Sequence, residues 1–332
     1  MAGVIRAARA MLLVVGLGII LGGLLFAGQR YLEERASARV DAVLDALPAE
    51  VDAHYEQITL NPLERTAAVH DLRIAGGDTY PSLDVRRVSI RAFEAGTPLP
   101  QRLELALADV HWYGGGGTRL RRRVEAAIGG AVVGDARLEL RLDPEAERLR
   151  VESAALRLHS GDALRLRGTF ALPGEATGAD FDAPAGAVAE RLAAAELIEL
   201  DARWEDAGLF HGALNAVAAE SGLTGPSLAI NLLGELEWAV GEWREDGLDL
   251  DESLAALRGF LRRGGTIELR ARPSGPIALR TLHERALVDP PVVVRRLRPR
   301  LFHAPPEDAA SGAALPNGVA PLPDGGAPDP AP

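Results

Sequence analysis

The segment Leu138-Glu139-Leu140-Arg141-Leu142 alternates strictly between leucine and a charged residue. A period of two is typical of a β-strand that buries one face and leaves the other in water. The same alternation recurs in residues 103–108, 148–152 and 164–172. Turn-forming residues separate these segments, and the intervals leave no room for crossover helices. We therefore predict an antiparallel sheet with one solvated face, which excludes a doubly wound nucleotide-binding fold.

The leucines of these strands form a candidate apolar face. Because side chains two residues apart lie on one side of a strand, they would share a common surface of the sheet. The face consists of Leu103, Leu105, Leu107, Leu138, Leu140, Leu142, Leu164 and Leu166. Such a surface either lines an open groove for a lipid or another apolar ligand, or is closed by helices as an ordinary core. The sequence alone favours the closed core.

The period becomes helical after a linker rich in Gly, Ala and Asp over residues 174–184. Apolar residues three or four positions apart predict three helices within residues 209–264. The first ends before Gly222 and the second begins near Pro226. In the third we expect Asp249 to cap the first turn.

Alternating segments flank these helices. Residues 198–204 are a candidate strand before them, and residues 266–271 alternate after them. The predicted fold class is α+β: an N-terminal transmembrane helix, then a mainly antiparallel β-sheet body with a C-terminal helical subregion.

The run from residue 10 to residue 28 is uncharged and predominantly apolar. About 20 such residues span the hydrocarbon core of a bilayer as a helix. Arg6 and Arg9 precede the run, which favours a cytoplasmic N-terminus. A cleavable signal peptide is the alternative, although Leu25-Phe26-Ala27 matches the small-x-small cleavage pattern poorly. We expect an uncleaved, single-pass membrane anchor.

The chain divides into five parts on these grounds. We expect a cytoplasmic N-terminus and anchor in residues 1–30, a helical stalk in 31–48, an antiparallel β-rich region in 49–173, a helix-rich α+β region in 185–302, and a disordered Pro/Ala/Gly tail in 303–332. The tail composition buries too little apolar surface to offset its ordering entropy. The helix-rich part either completes the fold of the β-rich part or forms a second subdomain.

The composition argues against several function classes. The chain has 332 residues, of which 36 are basic and 47 acidic, and its net charge of −11 argues against nucleic acid as a partner. It contains no cysteine, which removes disulfides, thiolate catalysis and zinc–thiolate sites. No two of its seven histidines lie three to five residues apart, and neither HExxH nor GxSxG occurs. We expect no catalytic residue, no metal ligand and no cofactor, and hence no enzyme.

One basic cluster in this acidic chain is a candidate contact for anionic lipid headgroups. It consists of Arg119, Arg121, Arg122 and Arg123. Each basic residue near an anionic surface contributes on the order of 1 kcal/mol. The alternative, which we favour, is a solvated helix start. The arginines at positions 295, 296, 298 and 300 are open to the same two interpretations.

Three segments resemble a family of bacterial envelope proteins. After the apolar run, Tyr55-Glu56-Gln57-Ile58-Thr59-Leu60-Asn61-Pro62-Leu63 and Val69-His70-Asp71-Leu72-Arg73-Ile74 resemble the opening of AsmA-like and YdgA-like proteins. Trp204-Glu205-Asp206-Ala207-Gly208-Leu209, followed by an Ala-rich helix, is similar to a later part of YdgA-like proteins. The resemblance covers about half of the chain. It implies an inner-membrane protein with a periplasmic domain, linked to lipid handling or envelope homeostasis.

Two functions follow as expectations. The first is a non-enzymatic scaffold or accessory factor of the cell envelope, anchored through residues 10–28 and binding other envelope proteins. The alternative is a protein of the AsmA-like type that binds or transfers lipid or another apolar ligand. The first ranks slightly ahead.

Overall fold

The computed structural model describes residues 40–41, 44, 51–61, 66–75, 82–93, 102–113, 132–143, 146–172, 194–245 and 247–306. The expected membrane anchor, most of the expected stalk, the linker at 174–184 and the tail from residue 307 onward lie outside the described residues. So does the cluster from Arg119 to Arg123.

Twelve strands of the described residues form one sheet in which every pairing is antiparallel. They are β1 (Asp52–His54), β2 (Gln57–Asn61), β3 (Thr66–Ala75), β4 (Ser82–Phe93), β5 (Arg102–Tyr113), β6 (Val132–Asp143), β7 (Arg148–Leu158), β8 (Ala163–Ala171), β9 (Glu196–Asp206), β10 (Gly265–Ala271), β11 (Ile277–Ala278) and β12 (Pro299–Ala304). Their order is β1-β3-β4-β5-β6-β7-β8-β9-β10-β12, with β2 also on β3 and β11 also on β9. The predicted antiparallel sheet is confirmed, and the four alternating segments lie on β5 to β8.

Five further elements are helical. They are α1 (Leu209–Glu220), α2 (Gly225–Glu245), α3 (Asp251–Arg263), α4 (Leu279–Val288) and α5 (Pro290–Leu297). The three predicted helices are confirmed as α1 to α3, and the fold is α+β with a sheet body. The sequence analysis did not predict α4, α5 or β12. The predicted N-cap of α3, Asp249, lies one residue before the observed N-cap, which is Leu250. Asp249 instead accepts a hydrogen bond from the Asp251 N–H at 3.3 Å.

The helices α1 to α3 are inserted between two neighbouring strands. β9 pairs with β8 on one side and with β10 on the other, so the sheet continues through the helix-rich part. The fold thereby extends to Ala304 at the end of β12 and includes the first two residues of the expected tail. Among the helices in the described ranges, none combines the length and the hydropathy that crossing a bilayer requires.

The main core lies on one face of β3 to β7 and includes a residue from the expected stalk. Val40 is fully buried in this cluster, and Leu44 packs against it. Both residues are helical. These two residues, which precede the first strand, therefore pack with the core of the sheet.

Along one row of the sheet, the alternation between buried and exposed side chains shifts by one residue within β3, β4 and β5. Val69 and Leu72 on β3 are both buried although two residues separate them, and the same holds for Val85 and Val88 on β4. A positive φ of 51° at Asp71 reverses the alternation in β3. In β5, Asp109 has a φ of 55°, and the register with β6 shifts between Leu107 and Val110.

Candidate functional site

The candidate apolar face forms much of the core of the sheet. Leu103, Leu105, Leu138, Leu140 and Leu142 are buried. The other three leucines, at positions 107, 164 and 166, are partly exposed. The face is thus closed over β5 and β6, and it becomes more open towards β8.

The opposite face of the same strands carries charges that pair with one another. Arg102 Nη2 lies 2.5 Å from Glu139 Oε1 and 3.1 Å from Glu104 Oε1, and Arg137 Nη2 lies 3.4 Å from Glu104 Oε2. The hydrogen bond to Glu139 is the largest cause that raises the pKa of Arg102 above its ordinary value, and burial opposes it. Such mutual neutralisation leaves little net charge on this part of the sheet for a ligand.

A small charged cleft lies on β3, β4 and β5, along the row of residues at which the alternation of these strands shifts. Its volume is about 230 Å³, and its lining includes Asp71, Asp84, Arg86, Asp109 and His111. Asp109 accepts from both neighbours: its Oδ1 lies 3.1 Å from His111 Nε2, and its Oδ2 lies 3.5 Å from Arg86 Nε. The Asp109 N–H donates to Asp135 Oδ1 at 2.9 Å. These contacts hold the left-handed backbone at Asp109, and they pair Asp109 with Arg86 and His111 inside the cleft.

A larger, open cleft of about 980 Å³ lies beside β1 and β2. Asp41, Leu44 and residues 53–60 line it. The Tyr55 hydroxyl donates to Asp41 Oδ1 at 2.9 Å, and Thr59 Oγ1 lies 3.1 Å from His70 Nε2. These bonds hold the helical segment against the sheet and tie β2 to β3.

An aspartate–histidine pair marks the start of α1. Asp206 Oδ2 lies 2.7 Å from His211 Nδ1, while Asp206 Oδ1 accepts from the N–H groups of Phe210 at 2.8 Å and Gly208 at 3.3 Å. His211 Nε2 is buried and has no hydrogen-bond partner within the described residues. The rings of Phe210 and Phe260 flank the imidazole at 5.6 and 6.4 Å between centroids. Asp206 thus satisfies one open N–H group of the first helical turn, that of Phe210, and also binds the imidazole of His211.

The arginines of the second basic group lie at the end of α5 and on β12. Arg295 and Arg296 lie in the last turn of α5, where cations complement the helix dipole. Arg298 caps that helix in the left-handed conformation, with a φ of 49° and a bond from its N–H to Val294 O at 2.9 Å. Arg300 lies on β12 opposite Arg270. Within the described ranges, no group of three His, Asp or Glu residues is placed to hold a metal ion.

The outer side of α2 carries the most exposed tryptophan in the described part of the chain. Trp238 is 70% exposed and Ile230 is 61% exposed. The opposite side of the helix is buried through Ala229, Leu233 and Val240. With 3.6 residues per turn, this inner stripe directs Trp238 away from the protein.

Small and acidic residues surround Trp238 on its helix. Gly234 and Gly241 precede and follow it by four and three residues, and a Cβ atom built on either would meet nothing within 4 Å. Glu235 and Glu242 are exposed on the other flank. We call these five residues, Trp238 with Gly234, Gly241, Glu235 and Glu242, the Trp238 surface.

Sequence reasoning missed this surface because α2 is apolar on more than one side. Leu232 fits the helical spacing of the apolar residues in α2, yet it is 42% exposed. The signal that could have found the surface is the spacing itself, a tryptophan between two glycines on one flank and two glutamates on the other. The residues on a helix at i±3 and i±4 are neighbours, so the spacing alone predicts that they meet.

One comparison with known proteins gives a match. A family model described only as an uncharacterized protein matches residues 157–300, from the end of β7 into β12. The match therefore includes the three inserted helices and the Trp238 surface. No curated protein matches the chain.

Proposed function

We propose that the chain is a membrane-anchored, non-enzymatic accessory protein of the bacterial cell envelope, and that it works by docking other proteins at the outer side of α2. The observation that carries this proposal is the exposure of Trp238 and Ile230 on a helix whose inner side is already buried. Tryptophan is among the residues that dominate binding energy in protein interfaces. Two large apolar side chains exposed on one helix supply apolar surface that a protein partner would cover.

The anchor in this proposal is the uncharged run at residues 10–28. A helix of that length spans the hydrocarbon core, and the arginines before it favour a cytoplasmic N-terminus. The folded region would then lie in the periplasm, close to the membrane. This arrangement agrees with the resemblance to AsmA-like and YdgA-like envelope proteins, which stays a prediction.

The docking is tested by photo-crosslinking in growing cells. A photoreactive phenylalanine analogue replaces Ile230 in the full-length chain, and a second strain carries it at Val288 on α4, which is 85% exposed. We expect a discrete protein adduct from position 230 and none of that size from position 288. The adduct should weaken in a Trp238→Ala background. Adducts to lipid alone, or equal adducts from both positions, would contradict the proposal.

The membrane topology has its own test. A phosphatase that is active only in the periplasm is fused after Pro332, beyond the last strand, and a second fusion carries a reporter that is active only in the cytoplasm. We expect phosphatase activity in the membrane fraction and none from the cytoplasmic reporter. The reverse pattern would overturn the localisation and, with it, the envelope function.

A second candidate function is the binding of a lipid or another apolar ligand. It is favoured by one observation: at the end of the apolar face, Leu149 and Val151 on β7 and Leu164 and Leu166 on β8 are only partly buried. A ligand chain could lie along this end of the sheet without displacing the closed core. Native mass spectrometry of the full-length protein, released from detergent, should then show a bound lipid mass. A photoreactive residue at Val151 should crosslink to lipid, and one at the buried Leu105 should not.

A further inference from the structure

The neighbours of Trp238 give the outer side of α2 two chemically different flanks. Gly234 and Gly241 leave open space beside one edge of the indole. Glu235 and Glu242 lie on the other edge, three residues before and four residues after Trp238. Because residues three and four positions apart are adjacent on a helix, both carboxylates lie next to the ring.

No described residue neutralises the two carboxylates. Neither Glu235 nor Glu242 forms an ion pair within the described residues, whereas Glu237 on the same helix pairs with Arg258 of α3. The basic residue of α2 itself, Arg244, pairs with Asp251. The hydrogen bond to Asp251 is the largest cause that raises the pKa of Arg244 above its ordinary value. In the part of the chain that the structure describes, the charge of the Trp238 surface is therefore uncompensated.

We propose that the Trp238 surface binds an arginine or lysine side chain presented by an apolar helix of a partner protein. The cation lies over the indole face, where the ring quadrupole attracts it, and between the carboxylates of Glu235 and Glu242. The apolar side of the partner helix covers Ile230 and packs along Gly234 and Gly241, whose missing side chains allow close approach. This inference rests on the proposed docking function and names the chemistry of the partner.

Charge decides between this partner and the other possible occupants. A second copy that docked its own α2 symmetrically would bring the Glu235 and Glu242 carboxylates of both copies together, and like charges in an interface oppose binding. An anionic lipid surface is repelled for the same reason. A basic apolar helix meets no such penalty, because it supplies the charge that the surface lacks.

The test uses the crosslinker at position 230 in full-length, membrane-anchored protein and compares three variants. Trp238→Ala removes the ring, Trp238→Phe keeps a ring, and Glu235→Gln with Glu242→Gln removes both charges. The matched control is Glu56→Gln with Glu252→Gln, which makes the same charge change at two exposed glutamates on other elements. All of these side chains are exposed, so thermal unfolding of each variant should match that of the unaltered protein.

We expect the adduct to fall about fivefold or more in Trp238→Ala and in the double glutamine variant, and to persist in Trp238→Phe and in the control pair. The crosslinked partner peptide, sequenced by mass spectrometry, should carry arginine or lysine within one helical turn of the linked residue. If the adduct falls in Trp238→Ala but not in the double glutamine variant, or if the linked peptide has no basic residue, the inference is overturned while the docking function stands. An adduct that none of these variants weakens overturns both. Linkage to lipid or to a second copy of the chain also overturns the inference.

Discussion

Asp162 shows how one buried charge connects two parts of the sheet at the scale of a residue. The side chain is fully buried in the turn between β7 and β8. Its Oδ1 accepts from the N–H groups of Ala207 at 2.8 Å and Leu209 at 3.2 Å, and its Oδ2 accepts from Ser160 Oγ at 2.6 Å. A carboxylate that is buried this deeply is stable only when such donors satisfy it. It therefore fixes the point where β9 ends and α1 begins.

We predict that Asp162→Ala lowers the free energy of unfolding by about 3 kcal/mol, because it leaves buried N–H groups without an acceptor. The measurement is urea unfolding of the full-length chain in mild detergent, followed by circular dichroism. Asp143→Ala is the control, since Asp143 Oδ1 also accepts a backbone N–H, from Ala146 at 3.0 Å, but in an exposed turn. Water replaces that bond, so its loss should cost under about 1 kcal/mol. Equal losses in the two variants would show that Asp162 is not a structural acceptor.

Asp109 is the second residue on which local geometry depends. Its φ of 55° lies in the left-handed region, which aspartate and asparagine tolerate and β-branched residues do not. We predict that Asp109→Val lowers the free energy of unfolding by about 2–3 kcal/mol through backbone strain and the lost contacts to Arg86 and His111. Asp109→Asn should cost less than half of that. The same urea titration measures both, and similar costs would mean that the strain argument is wrong.

At the scale of an element, we expect substitutions at the glycines of α2 to have opposite effects on stability and on docking. Glycine in a helix is about 0.8–1 kcal/mol less favourable than alanine, and a Cβ at Gly234 or Gly241 would meet nothing. We predict that Gly234→Ala and Gly241→Ala each raise the free energy of unfolding by up to about 1 kcal/mol and at the same time weaken the adduct formed at position 230. Gly212→Ala on α1 is the control, because its Cβ is equally unobstructed. It should stabilise the protein and leave the adduct unchanged; a similar loss of the adduct there would remove the glycines from the docking argument.

The elements that were predicted from the sequence are those in which one periodicity dominates. The segments that were predicted within β5 to β8 alternate between apolar and polar residues, and α3 combines an apolar stripe with Gly264 and Gly265 at its end. The helix α5 was missed because Val292-Val293-Val294 is β-branched and suits a strand. Asp289 nevertheless starts a helix here, because it accepts a hydrogen bond from the Val292 N–H at 3.4 Å and prolines occupy the first helical positions.

The phase changes at Asp71 and Asp109 could not be predicted, because the sequence does not distinguish an aspartate with a positive φ from any other aspartate in an alternating strand. These phase changes also determine which side chains lie on the core face. A strict period of two places Leu72 or Val69 on the core face but not both, whereas the structure buries both.

The Trp238 surface was not predicted, because the apolar residues of α2 lie on several sides of the helix. Only the packing of α2 against α1 through Leu214 and Leu233 shows which side faces away from the protein.

At the scale of the whole molecule, Val40 couples the helical residues before β1 to the sheet. The side chain is fully buried in the cluster formed by β3 to β7, 29 positions before Val69 of β3. Val40 and the neighbouring Leu44 therefore belong to the same folded region as the sheet.

We predict that Val40→Ala lowers the free energy of unfolding by about 2 kcal/mol, because it removes two buried methyl groups and leaves a cavity. Val288→Ala makes the same substitution at a side chain that is 85% exposed, and there the change should stay within about 0.5 kcal/mol. Urea unfolding of the full-length variants, followed by circular dichroism of the sheet, measures both. A single transition that shifts as a whole in Val40→Ala would mean that the helical segment and the sheet unfold together. If Val40→Ala costs no more than Val288→Ala, the helical residues before β1 do not contribute to the core of the sheet.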